Sequence, residues 1–141
     1  MESTLQNPAL VAARTSPKAN TIFYWISTAI FCLEMSFTAY YELLPQGAQA
    51  FIRLGFSAGA FRMELSLAKL VGVAVLLIPI VPARLKEWAY AGFAINLASA
   101  IIAHLSISDR PAALVPSSIT SALWGLSYFF WRRRQATQAN A

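Results

Sequence analysis

The 141 residues are 57% hydrophobic and 12% charged, enough for one compact bundle and too few for a separate soluble catalytic domain. The net charge of +5 comes from Lys and Arg beside apolar runs rather than from a basic face interleaved with aromatics, which argues against nucleic-acid binding. One cysteine and one histidine exclude an internal disulfide, a Cys-x-x-Cys relay and a multi-cysteine metal site.

The first twenty residues contain no apolar core of signal-peptide length and no cleavage region, so 1–20 reads as a mobile cytoplasmic tail and the run that follows as an uncleaved anchor. That run, "TIFYWISTAIFCLEMSFTAYYELL" (21–44), is the first of four spans, each near the twenty apolar residues needed to cross about 30 Å of hydrocarbon. Ser27, Glu34, Thr38 and Tyr41 recur along one stripe of it at helical spacing. Its lone thiol, Cys32, is buried in an apolar run and carries little thiolate.

The connection Pro45 to Gly59 is too short to span and has an apolar side. It is expected along the membrane interface, either covering a pocket mouth or simply joining two spans.

The second span, "FRMELSLAKLVGVAVLLIPIV" (61–81), carries Arg62, Glu64 and Lys69 in a segment that should avoid charge. Arg62, Ser66 and Lys69 share a stripe, and Pro79 and Pro82 close the run. In the third span (87–107), Asn96 and Ser99 share a face with His104 to one side. "SDRP" separates it from the fourth (111–131), where Ser117, Ser121, Trp124 and Tyr128 line up. Residues 132–141 form a basic cytoplasmic tail, and Trp25, Trp88, Trp124 and Trp131 read as headgroup-level anchors near span ends.

Arg14, Lys18, Arg84, Lys86, Arg132, Arg133 and Arg134 fall on one side of this topology, and Arg53, Arg62 and Arg110 on the other. The richer side is expected to be cytoplasmic, with both termini on it. The fold class is therefore all-α, a bundle of four transmembrane helices.

Counting back from the outer ends puts Glu34 near mid-membrane, with Lys69 on the neighbouring span close enough for an ion pair. Glu42, Arg62, Glu64 and His104 form a shallower layer. A charge at the helix centre costs on the order of 2.5 to 3.5 kcal/mol, so these residues face the bundle interior and serve one of two ends. Either they glue helices together, or they line a polar pocket that binds a small molecule or moves protons.

The stretch "RMELSLAKLVGVAVLLIPIVPARLKEWAYAGFAINLASAIIAHLSISD" (62–109) resembles the DoxX-like family of small four-helix membrane proteins. The likeness is carried by Arg62-x-Glu64, by Ala68-Lys69-Leu70, by the hairpin from Leu76 to Phe93 and by Ala103-His104. The resemblance implies a bundle in a bacterial cytoplasmic (inner) membrane, and an association with quinone-linked electron transfer, redox-stress complexes or a sterol-like ligand. It also implies Arg62, Glu64, Lys69 and His104 as site residues.

Joined with the stripes, these give Glu34, Glu64 and His104 as candidate acid–base residues, and Arg62, Lys69, Tyr41, Asn96 and Ser121 as candidate ligand contacts. No metal site is expected, and nothing in the sequence identifies a cofactor. The expected partners are the lipid bilayer, a quinone or other lipophilic small molecule, membrane or redox partner subunits, and further copies of the chain through "GVAV" and "YAGFA". The alternatives are a non-enzymatic scaffold subunit and a membrane-embedded acid–base isomerase or hydrolase.

Overall fold

The computed structural model describes residues 16–140; most of the mobile tail expected over residues 1–20, including Arg14, lies outside the described residues. The described residues form five helices and no strand: α1 (Pro17–Leu43), α2 (Pro45–Arg53), α3 (Ala60–Leu77), α4 (Ala83–Ser106) and α5 (Pro111–Ala139).

Local chemistry sets most of the boundaries. The Ser16 side chain accepts the Ala19 N–H at 3.2 Å and Pro17 follows at the first helical position, so α1 begins before the apolar run does. It stops where Leu44 turns extended ahead of Pro45, and α3 stops likewise at Ile78 ahead of Pro79. α5 continues eight residues past the expected span end at Trp131. Its basic turn is held by ring contacts: Arg133 lies over Phe129 at 5.2 Å, and Arg134 over Tyr24 at 5.1 Å.

Two cations close helix ends. Arg62 donates to the Glu42 carbonyl in the last turn of α1 and, through Nε, to the Ala58 carbonyl at 2.9 Å. Lys86 Nζ donates to the Leu76 carbonyl at the end of α3 at 3.0 Å. Both satisfy carbonyls that have no partner within their own helix, a strong requirement where water is scarce.

The long helices pack in a ring, with α1 against α3 and α5, and α4 against the same two. Chain order makes ring neighbours antiparallel. One end of the ring thus carries α2 and the α4–α5 turn, and the other carries the start of α1 and the end of α5.

The terminal half is tightly filled by Tyr24, Phe31, Leu76, Tyr90, Phe93 and Trp131. A buried hydroxyl chain ties its helices: Ser127 Oγ lies 2.7 Å from Thr28 Oγ1 and 2.7 Å from the Tyr90 hydroxyl. Trp131 is buried and Trp124 donates to the Tyr90 carbonyl at 3.0 Å. These two tryptophans therefore hold the bundle together rather than serving as headgroup anchors, whereas Trp88 is 79% exposed.

The half that carries α2 is built differently. There α2 folds back on the end of α1 so closely that a Cβ on Gly47 would collide with the Tyr41 carbonyl and come within 2.7 Å of Glu42 Cα, so only glycine fits. Phe51 on α2 is buried, and Phe56 stacks 6.1 Å from Phe61.

Outward positions along the long helices are mostly apolar, including Leu33, Phe37, Leu67, Val71, Ile95, Ile102, Ile119 and Leu126, all more than a third exposed, with Glu64 on α3 an exception. An apolar surface this continuous belongs in hydrocarbon or against another protein. By length and composition α1 and α4 are each able to cross a membrane.

Candidate functional site

Beneath α2 lies a cavity of about 590 Å³, within the range of small-molecule sites. Its apolar wall includes Met35, Phe51, Leu54, Phe56, Leu65 and Leu97. Set into that wall are Glu34 and Thr38 from α1, Lys69 from α3, Asn96, Ser99 and His104 from α4, and Ser117 and Thr120 from α5. Tyr41 and Glu42 complete the polar set.

The charged groups are paired across helices. Lys69, only 7% exposed, forms an ion pair with Glu42, whose second oxygen accepts from Ser66 Oγ at 3.1 Å. Lys69 thus meets Glu42 rather than the expected Glu34. The i, i+4 succession Glu34, Thr38, Glu42 drifts around α1, so the deeper carboxylate faces α5 while the shallower one faces α3. Glu34 accepts a hydrogen bond from Thr120, whose oxygen also lies 2.9 Å from the Pro116 carbonyl.

At the covered end Asp109 joins three groups. Its Oδ1 accepts from Arg53 at 2.7 Å and from the Arg110 N–H at 2.9 Å, and its Oδ2 lies 2.9 Å from His104 Nδ1. The hydrogen bonds from His104 and the Arg110 backbone hold the Asp109 carboxyl below its ordinary value. His104 keeps Nε2 as the ring nitrogen not engaged by Asp109.

Of the residues expected at a site, Glu34, Tyr41, Lys69, Asn96 and His104 line this one cavity. Three do not. Arg62 is a cap on α1 and a neighbour of Ser66, away from the lining. Glu64 is exposed on the outside of α3, so the acid–base set Glu34, Glu64 and His104 is not assembled in one place. Ser121 donates back to the Ser117 carbonyl of its own helix at 2.7 Å.

Glu42, Ser117, Thr120 and Asp109 belong to the arrangement but were absent from the expected set. For Thr120 the signal was its spacing of seven from Ser127, two turns along the same face. Among the described residues no three His, Cys, Asp or Glu side chains converge as a metal site.

An all-helical chain with an apolar exterior and a polar-studded cavity under a short covering helix is the class that the fold and the site define. Residues 26–126, well over half of the chain, match the DoxX-like family, and the chain belongs to it. Family membership and the two apolar helices point to a membrane protein. No match was found among curated proteins or among solved structures.

Proposed function

We propose that the chain is a multi-pass protein of a bacterial cytoplasmic membrane that binds an uncharged lipophilic small molecule, quinone-like in polarity, in the cavity beneath α2. In this reading α1, α3, α4 and α5 all span the bilayer, with the α2 end outside. The tails lie on the cytoplasmic side, where Lys18, Arg84, Lys86 and Arg132 to Arg134 gather. Redox partner subunits fit the same picture.

The observation that carries the proposal is the cavity's composition. An apolar space of about 590 Å³ has hydrogen-bonding groups from four helices at its wall, the combination that holds an apolar body and orients a polar end. Mass spectrometry of small molecules co-purifying with the natively extracted protein tests it. A lipophilic species enriched with the wild type and depleted in Asn96→Leu and Glu34→Gln supports the proposal. Bulk phospholipid alone in all three sinks it.

One observation favours a second reading, a scaffold subunit in which the polar groups are interhelical glue. Lys69 with Glu42, and Thr120 with Glu34, already satisfy one another without a ligand. That reading expects the same stability losses as the first and no specifically bound molecule.

A further inference from the structure

Beside the cavity, on the outer surface between α3 and α4, runs a groove of about 300 Å³. Its walls include Ala68, Gly72, Val75, Leu85, Trp88 and Ala89, with no charged or hydrogen-bonding side chain along that stretch other than the edge of the Trp88 ring. The groove meets the cavity at Leu65, Lys69, Gly92 and Asn96, which line both. From Leu65 to Val75 it follows α3 for about 15 Å at 1.5 Å per residue. At the junction, a Cβ on Gly92 would find no atom within 4 Å, so this face of α4 leaves space where the two linings meet.

Charge decides what sits at the inner end. Lys69, the one lysine on the cavity lining, is already paired with Glu42, and Glu34 adds a second carboxyl group, so the lining offers an anionic head such as a phosphate or carboxylate no unpaired lysine or arginine. Asn96 offers amide donors and an acceptor where groove and cavity join, which suits a hydroxyl or carbonyl.

We propose that the α3–α4 groove is the tail subsite of the ligand. The molecule is an amphiphile with an uncharged hydroxyl or carbonyl head in the cavity at Asn96 and Lys69. Its single hydrocarbon chain passes Gly92 and lies along Gly72, Val75 and Trp88, and it is exchanged sideways with the lipid through this groove. The inference rests on the cavity-binding reading and adds to it the class of ligand and its route. A phospholipid acyl chain that merely coats the groove is the competing occupant.

Two photoreactive forms of hexadecanol test this on the full chain in lipid nanodiscs, one with a diazirine next to the hydroxyl and one with it at the far end of the chain. The expected result is that the head-end probe labels cavity residues and the tail-end probe labels the groove at Val75, Leu85 or Trp88. Excess unlabelled hexadecanol should compete both signals away. Gly92→Phe, which fills the junction, should lower saturable groove labelling about tenfold, while Ala91→Phe, of equal bulk but outside both linings, should not.

Labelling of the cavity by the head-end probe together with tail labelling elsewhere, or groove labelling that excess hexadecanol does not compete, overturns the tail subsite and leaves the cavity reading intact. Absence of saturable cavity labelling overturns both.

Discussion

The guanidinium of Arg53, in the last turn of α2, donates to Asp109 Oδ1 at 2.7 Å, while the other oxygen of the same carboxylate lies 2.9 Å from the cavity residue His104. One side chain in the α4–α5 turn therefore joins the helix that covers the cavity to the residue beneath it. Asp109→Asn is expected to loosen the cover, read as faster amide hydrogen exchange in Pro45–Arg53 with little change in the rest of the bundle. Arg53 is 67% exposed and its pairing is screened by water, so Arg53→Met should raise exchange there by no more than about fivefold. Unchanged exchange in both variants would remove the latch.

The same carboxylate has a pH signature. Because its folded pKa lies below the ordinary 3.8, the stability it contributes is fully present above that value and is lost as pH falls toward the lower, folded value. Thermal stability in detergent should therefore decline on acidification through this window, with a shallower decline in Asp109→Asn. Parallel curves for the two proteins would exclude a contribution from this group.

Much of this architecture was legible in the sequence, and the misses have physical causes. Apolar runs flanked by proline point to the end of α3 and the start of α5, because the helical conformation is disfavoured before a proline and the proline itself suits a first turn; Pro116, inside α5, shows that the first preference can be overridden. Glu34, Lys69, Asn96 and His104, which line the cavity, stand out in the sequence because polar and charged groups in apolar runs are costly. Their pairing is not legible there, since Glu42, two helical turns further along α1, reaches α3 better than Glu34 does. On α5, Ser117 and Ser121 share a face, but Ser121 bonds back to its own helix, and the buried stripe is Thr120, Ser127 and Trp131. The capping role of Arg62 is not legible either, because a sequence does not reveal which carbonyl a half-buried guanidinium meets.

The Lys69–Glu42 pair should behave as a unit. Lys69→Met leaves Glu42 buried with only Ser66 as partner and is expected to destabilise the bundle by about 3 kcal/mol or more. Glu42→Leu should cost a similar amount by stranding the ammonium. The double variant should recover most of the loss, since two packed apolar side chains leave no stranded charge. A coupling energy near zero in the double-mutant cycle, measured by unfolding in detergent, would show that the pair does not hold α1 to α3.

Ser127 is the node of the hydroxyl chain, touching both Thr28 and Tyr90 at 2.7 Å. Ser127→Ala strands two buried hydroxyls at once and should cost about 1 to 3 kcal/mol. Thr28→Val breaks only one contact and keeps the volume, so its loss should be smaller, near the ~0.6 kcal/mol average for hydrogen bonds between membrane helices. Equal losses in the two variants would mean that the chain is not joined at Ser127.

Two glycines that look alike in sequence should respond oppositely to alanine. On α3, a Cβ at Gly72 would stand 2.8 Å from Phe93 Cζ and 2.9 Å from its Cε2. The ring cannot easily yield, because Phe93 is buried and packs edge-on against Phe31 with centroids 5.0 Å apart. Gly72→Ala should therefore push α3 and α4 apart and destabilise by about 1 to 3 kcal/mol, the usual range for overpacking. On α4, a Cβ at Gly92 meets nothing within 4 Å, so Gly92→Ala keeps the packing and gains up to about 1 kcal/mol of helix propensity. Melting temperatures of the two variants in one detergent decide the matter. Gly72→Ala should melt below the wild type and Gly92→Ala at or above it, and the reverse order would mean that the α3–α4 contact is not made through the Gly72–Phe93 pair.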